Sequence, residues 1–210
     1  MNEEKVRYFI SSPRFNIYLA HTGNDFDKSY RLYKANIELS EAFYPVLALL
    51  EISLRNAINE KLKVHFNDAF WFKNCLPQEF QSSIKEAEQK ILSQRKVITA
   101  DRVIAELSFG FWNRLFNRYY GKLLWKTLFH VFPNLPKHDR KRDTIDDALF
   151  QIRTLRNRVY HYEPIFRNLT DIEEHYCCMI LFLKWMDFDL PDMLDGIDRF
   201  QEIFVKAKAI

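Results

Sequence analysis

Apolar side chains recur at steps of three and four along the first third of the chain: Leu32, Ile37, Leu39, Phe43, Val46, Leu47, Leu50, Leu54, Ala57, Ile58 and Leu62. That spacing predicts a buried helix starting at Asp27 and running to about Phe66, bent or divided by Pro45. Upstream, Ser12-Pro13 reads as a helix cap followed by proline at the first helical position, with Gly23 as the stop. Downstream, residues 77–96 read as a more polar helix. Thr99 caps the next one, which passes through "ELSFGFW" and is kinked or broken by Gly110. Residues 122–132 read as a further apolar helix, and "PNLPKHDRKR" (133–142) as a loop. Asp143 or Thr144 starts the helix after it. Thr170 and Glu173 form a capping box opening a helix to about Asp187, and a last helix covers 191–208. No stretch alternates with period two, and no internal repeat or low-complexity segment occurs. The pattern therefore predicts an all-α protein, built as a helical bundle.

Composition agrees and narrows the class. The chain has 210 residues, enough for one large domain or one domain with an appendage, and 48% of them are hydrophobic. Phenylalanine supplies 19 residues against 4 Gly, so the core is expected to be aromatic-rich and tight turns few. The net charge of +3 is a weak pointer to nucleic acid, so clustering of charge matters more than its sum. Cys75, Cys177 and Cys178 form neither a disulfide framework nor a C-x-x-C pair. With no signal peptide and no span-length apolar run, a soluble cytoplasmic protein is expected, free of membrane.

Metal and cofactor signals are weak. "DFDLPDMLDGID" (187–198) has the acidic density of a calcium loop. However, Pro191 and Asp192 stand where a ligand and a glycine are required, and position 12 is Asp198. His175, Cys177 and Cys178 lack a second pair for zinc and read as core packing. No P-loop or G-x-G-x-x-G occurs. No metal and no cofactor are expected.

The chemistry concentrates in "LRNRVYHYEP" (155–164). At 100° per residue, Ile145, Ala148, Leu149, Ile152, Leu155, Val159 and Tyr162 form one core stripe. Asn157 and His161, four apart, share a different face, and Arg156 lies at the stripe's edge. Pro164 disfavours helix at Glu163, so the helix should end near Tyr162 with His161 in its last turn. Histidine titrates near neutrality and can take or give a proton, arginine can neutralise a developing phosphorane, and asparagine can position either. The same residue types also suit bonding of a helix's last carbonyls, so a cap and an active site both fit. An R-N-x-x-x-H match arises by chance in a chain of this length at the order of one per cent, so it carries information.

"LRNRVYHYEPIF" (155–166) resembles the R-N-x-x-x-H signature of HEPN-domain proteins, and more specifically the Abi-like abortive-infection family of AbiD/AbiF type. "LYKANIELSEAFYPVLALLEISLRNAINEKL" (32–62) and "IAELSFGFWNRLF" (104–116) are similar to that family's N-terminal helix and central segment, in the right order. The resemblance covers roughly residues 28–185. It implies a HEPN-like helical bundle over 27–187, with an N-terminal helical extension (1–26) and a C-terminal helix (188–210) packed on it.

The resemblance also implies a metal-independent endoribonuclease in bacterial anti-phage defence. Arg156, Asn157 and His161 would be its catalytic motif, and the products a 2′,3′-cyclic phosphate and a 5′-hydroxyl. The partners implied are RNA, including a small non-coding RNA for some members, and a second copy completing a composite site; no DNA specificity is expected. An RNA-holding HEPN protein that does not cut, and a helical protein-interaction domain, are the alternatives.

Other residues extend this picture as candidates. Lys137, Arg140, Lys141 and Arg142 make the densest basic run, suited to phosphate contact or to a solvated loop. Arg153, Arg158 and Tyr160 lie off the core stripe and could widen an RNA surface, Tyr160 by stacking a base. Tyr162, on the stripe, is expected to be packed. Glu51, Arg55 and Asn56 repeat half of the motif without a histidine. Glu51 and Arg55 are helix ion-pair partners by spacing, so structural support, or contact with the main site, is expected of them.

Overall fold

The α-helices that begin at Glu3, Phe26, Ala100 and Phe109 start where a short polar side chain accepts from one of the first free backbone N–H groups. A computed structural model describes residues 2–167 and 169–209, and among these the chain is all-α, with no strand. Asn2 caps α1 (Glu3–Ile10), its side chain accepting from Lys5 N at 3.1 Å. Helix α2 (Ser12–His21) begins after Ser11, so Ser12 is its first residue and not its cap. Asp25, not Asp27, caps α3 (Phe26–Ala42), accepting from Lys28 N at 2.9 Å. The helix expected over 27–66 is divided at Phe43. There α4 (Tyr44–Phe66) begins, with Pro45 at its second position, where a missing N–H costs nothing.

The middle of the chain is more broken than its periodicity suggests. Short α5 (Trp71–Asn74) and a 3₁₀ turn precede α6 (Gln81–Ser93). Thr99 caps α7 (Ala100–Glu106) as expected. Gly110 is not the break; Leu107 turns extended, Ser108 recaps, and Gly110 sits inside α8 (Phe109–Arg114). The helix expected over 122–132 is a π turn, a short α9 (Lys126–Leu128) and a 3₁₀ turn. Helix α10 (Arg142–Tyr160) starts one residue before Asp143, taking Arg142 out of the loop. Thr170 lies inside the first turn of α11 (Leu169–Met186), so it does not cap; the position before α11 falls outside the described residues. The helix expected over 191–208 is a 3₁₀ turn, a loop and α12 (Phe200–Lys208). No described helix is long and apolar enough to cross a membrane.

The chain divides into two compact units, one of residues 1–47, 154–177 and 194–210, the other of 48–153 and 178–193. In the first, α2 and α12 both pack on α3. Val6, Phe15, Tyr18, Leu19, Leu32 and Phe166 form one buried cluster. A second centres on Tyr176 and Phe200, whose rings lie parallel at 4.0 Å. Burial, together with the bond that the Tyr176 hydroxyl donates to Asp198, pushes that phenol far above its ordinary range. Buried Asn36 binds the segment after α10. Its Oδ1 accepts from Ile165 N at 2.7 Å and its Nδ2 donates to Glu163 O at 3.5 Å.

The second unit is held by aromatic side chains. Trp71 and Trp112 are fully buried with ring centroids 6.4 Å apart. Each indole N–H finds an acceptor, Trp71 on Asn59 Oδ1 at 3.0 Å and Trp112 on Leu107 O at 3.3 Å. Leu50, Leu54, Ile58 and Leu62 on α4 and Ile145, Leu149 and Ile152 on α10 are buried. Each such aliphatic side chain stabilises the fold by roughly 1.5–3 kcal/mol relative to exposure.

Candidate functional site

Helix α10 delivers the motif, and the way it ends decides what the motif presents. Its stripe is buried as far as Leu155, is half-buried at Val159 and then stops. The helix closes at Tyr160, two residues short of the expected end. Tyr162 N donates to Val159 O at 3.1 Å and Glu163 N to Arg158 O at 2.9 Å, the two bonds of a Schellman motif. That motif needs a left-handed residue after the cap, a place glycine usually takes. Here it is Tyr162, at φ +57°. Tyr162 is therefore not packed in the core; it is 76% exposed. His161 is the helix cap, its N–H donating to Asn157 O at 2.9 Å and its side chain exposed.

Two of the three motif side chains, Arg156 and Asn157, are joined beside the Tyr160 ring. The Arg156 guanidinium lies 4.4 Å from the Tyr160 ring centroid. Its Nη1 also donates to Asn157 Oδ1, a long bond at 3.4 Å. Arg156 and Asn157 are half-buried, and the His161 imidazole is open to solvent one residue beyond Tyr160. An exposed imidazole can exchange protons with a bound substrate, and a guanidinium preset on a ring costs little reorganisation when it meets an anion.

Arg158, expected on an RNA surface, is instead used by the turn. Its Nη2 donates to Pro164 O and its Nε lies 3.8 Å from Glu163 Oε2. With Asp171 and His175 it lines a cavity of about 520 Å³. Burial lowers the His175 pKa from its ordinary value, Asp171 opposes that shift and Arg158 adds to it.

Beside the motif lies an aromatic cleft of about 630 Å³ that the sequence pattern did not reveal. Tyr160 and Tyr162 form one side and Tyr33, Ile37 and Tyr44 another, with Tyr18 and Arg14 also lining it. On α3 and the start of α4, positions 33, 37, 40 and 44 make a second stripe next to the core stripe of 32, 36, 39 and 43. Of the cleft's lining, the sequence offers Tyr160 as a base-stacking candidate and assigns Ile37, Val159 and Tyr162 to core stripes. The readable signal was that doubled stripe, with aromatic residues at both ends.

The remaining candidates lie in the second unit. Arg142 donates to Phe116 O at 2.6 Å and to Asp146 Oδ2 at 2.8 Å, and Arg140 donates to Leu135 O at 3.0 Å. Both cations therefore hold their own chain, while Lys137 and Lys141 are exposed. Arg153 lines a polar cavity of about 460 Å³ with Ser108, Asn113 and Arg114. Arg55 donates to Ala105 O at 3.3 Å and to Asn56 Oδ1 at 3.4 Å, tying α4 to the end of α7, and Glu51 is half-buried. Among the described residues no group of three or more His, Cys, Asp or Glu side chains is placed to hold a metal ion. Comparison of the chain with models of known protein families, with curated proteins and with solved structures finds no match.

Proposed function

We propose that the chain is a metal-independent endoribonuclease of the Abi-like HEPN type, acting on RNA in bacterial defence against phage. The observation that carries this reading is the exposed His161 on the cap of α10, flanked in sequence by two cleft-lining tyrosines and tied through its backbone N–H to the carbonyl of Asn157, the residue that accepts from Arg156. In the proposed reaction His161 takes the proton of a ribose 2′-OH. The 2′-oxygen then bonds to the adjacent phosphorus and the P–O5′ bond breaks. The 5′-oxygen leaves with a proton, giving a 2′,3′-cyclic phosphate and a 5′-hydroxyl. Arg156 neutralises charge on the pentacoordinate phosphorus, and Asn157 orients the guanidinium it accepts from. A second copy would supply a second imidazole, so that one acts as base and the other as acid.

The test is RNA cleavage in EDTA by wild type and His161→Ala, with product ends identified. Removing the imidazole is expected to slow cleavage by at least about 100-fold. Equal cleavage by the two proteins overturns the assignment. A second reading, RNA held without cleavage, is favoured by the aromatic cleft, which can stack bases with no imidazole at all. Wild type that binds RNA and leaves it intact selects that reading.

A further inference from the structure

We propose that the tyrosine cleft between α3 and the end of α10 holds an unpaired nucleobase of RNA beside the bond that His161 addresses. Its place in the reaction rests on the nuclease reading; its ligand does not.

The shape suits one base. A volume of about 630 Å³ lies within the range of small-molecule sites, roughly 300–1,000 Å³. One wall is braced, because Tyr33 meets buried Tyr18 edge-on at 5.4 Å and 84°. Burial pushes the Tyr18 phenol up to about 12, so that ring is an uncharged hydrogen-bonding group at neutral pH. The rim offers faces to stack on, with Tyr44 59% and Tyr160 39% exposed. Every base has such a face, but in a duplex both of its faces are covered, so the strand bound must be single.

The charge suits the phosphates that accompany a base. Arg14 lines the cleft and Arg156 sits on Tyr160. The one carboxylate on the lining, Glu41, is paired with Arg199 at 2.8 Å. The edge is thus net positive around an aromatic slot, the combination that holds single strands. Position follows from sequence: Tyr160 and Tyr162 line the cleft and His161 lies between them.

The experiment uses His161→Ala protein in EDTA, so that nothing is cut, and reads fluorescence anisotropy with a labelled hexauridylate. A ribose-phosphate oligomer of the same length without bases is the second probe. The abasic strand is expected to bind about ten-fold more weakly. Tyr44→Ala should lower affinity for hexauridylate by about ten-fold, leave the abasic strand unchanged, and be rescued by Tyr44→Phe. Equal binding of the two strands, or no effect of Tyr44→Ala, overturns the proposal. So does a dimer that Tyr44→Ala splits with RNA affinity unaltered, which would assign the cleft to a second copy. Wild type that binds base-selectively without cutting removes the nuclease reading and supports the cleft.

Discussion

Tyr162 carries a bulky side chain at φ +57°, a conformation that crowds its Cβ against the backbone and costs about 1–2 kcal/mol relative to the right-handed region. Little packing offsets that strain, since the ring is mostly exposed. Tyr162→Gly is therefore expected to raise stability by about 1 kcal/mol, read as a higher urea midpoint with unchanged slope. The same change removes a wall of the cleft, so RNA affinity should fall while stability rises. Strain kept where a smaller residue would fold better is a mark of functional positions. Periodicity placed Tyr162 on the core stripe because it extends 100° per residue past the true end of the helix. Pro164 located that end to within two residues. Which residue turns left-handed depends on the two capping hydrogen bonds, and no spacing rule encodes them. What the helix period does make legible is the four-residue relation of Asn157 and His161, which the bond from His161 N to Asn157 O keeps.

At the scale of elements, the end of α10 is held by partners remote in sequence. Asn36 on α3 accepts from buried Ile165 N and donates to the more open Glu163 O. Asn36→Leu keeps the volume but orphans the buried Ile165 N–H. It is expected to cost about 2–3 kcal/mol, seen as a lower thermal midpoint, and to loosen the cap that carries His161. The long helices α3, α4 and α10 were readable because their stripes are long and continuous, whereas no helix was expected over 3–10. Residues 100–132 were not readable, because Leu107 and Ser108 reset the chain in the middle of an unbroken apolar pattern. Thr99 was readable as a cap from residue type alone. The cleft is not legible in the sequence because its walls come from residues 14–44 and 159–162, more than a hundred positions apart.

For the whole molecule, net charge said little, because Arg140, Arg142 and Arg158 spend their hydrogen bonds on the chain itself. Titration says more. His175 has a pKa depressed mainly by burial, with Arg158 adding to the shift and Asp171 and Glu174 opposing it. As pH falls through its ordinary value of 6.5, the unfolded chain takes up the proton before the folded one does. Stability is thus fully present above that value and declines as pH falls towards the folded pKa. His175→Gln should flatten the thermal midpoint measured between about pH 7 and 5. The division into two units has a spectroscopic corollary. All four tryptophans, Trp71, Trp112, Trp125 and Trp185, belong to the unit of residues 48–153 and 178–193. Eight of the ten tyrosines belong to the other, Tyr119 and Tyr120 being the exceptions. Indole emission therefore reports one unit, and tyrosine absorbance mostly the other. Two unmodified signals from a single denaturation then tell whether the halves come apart together or in turn.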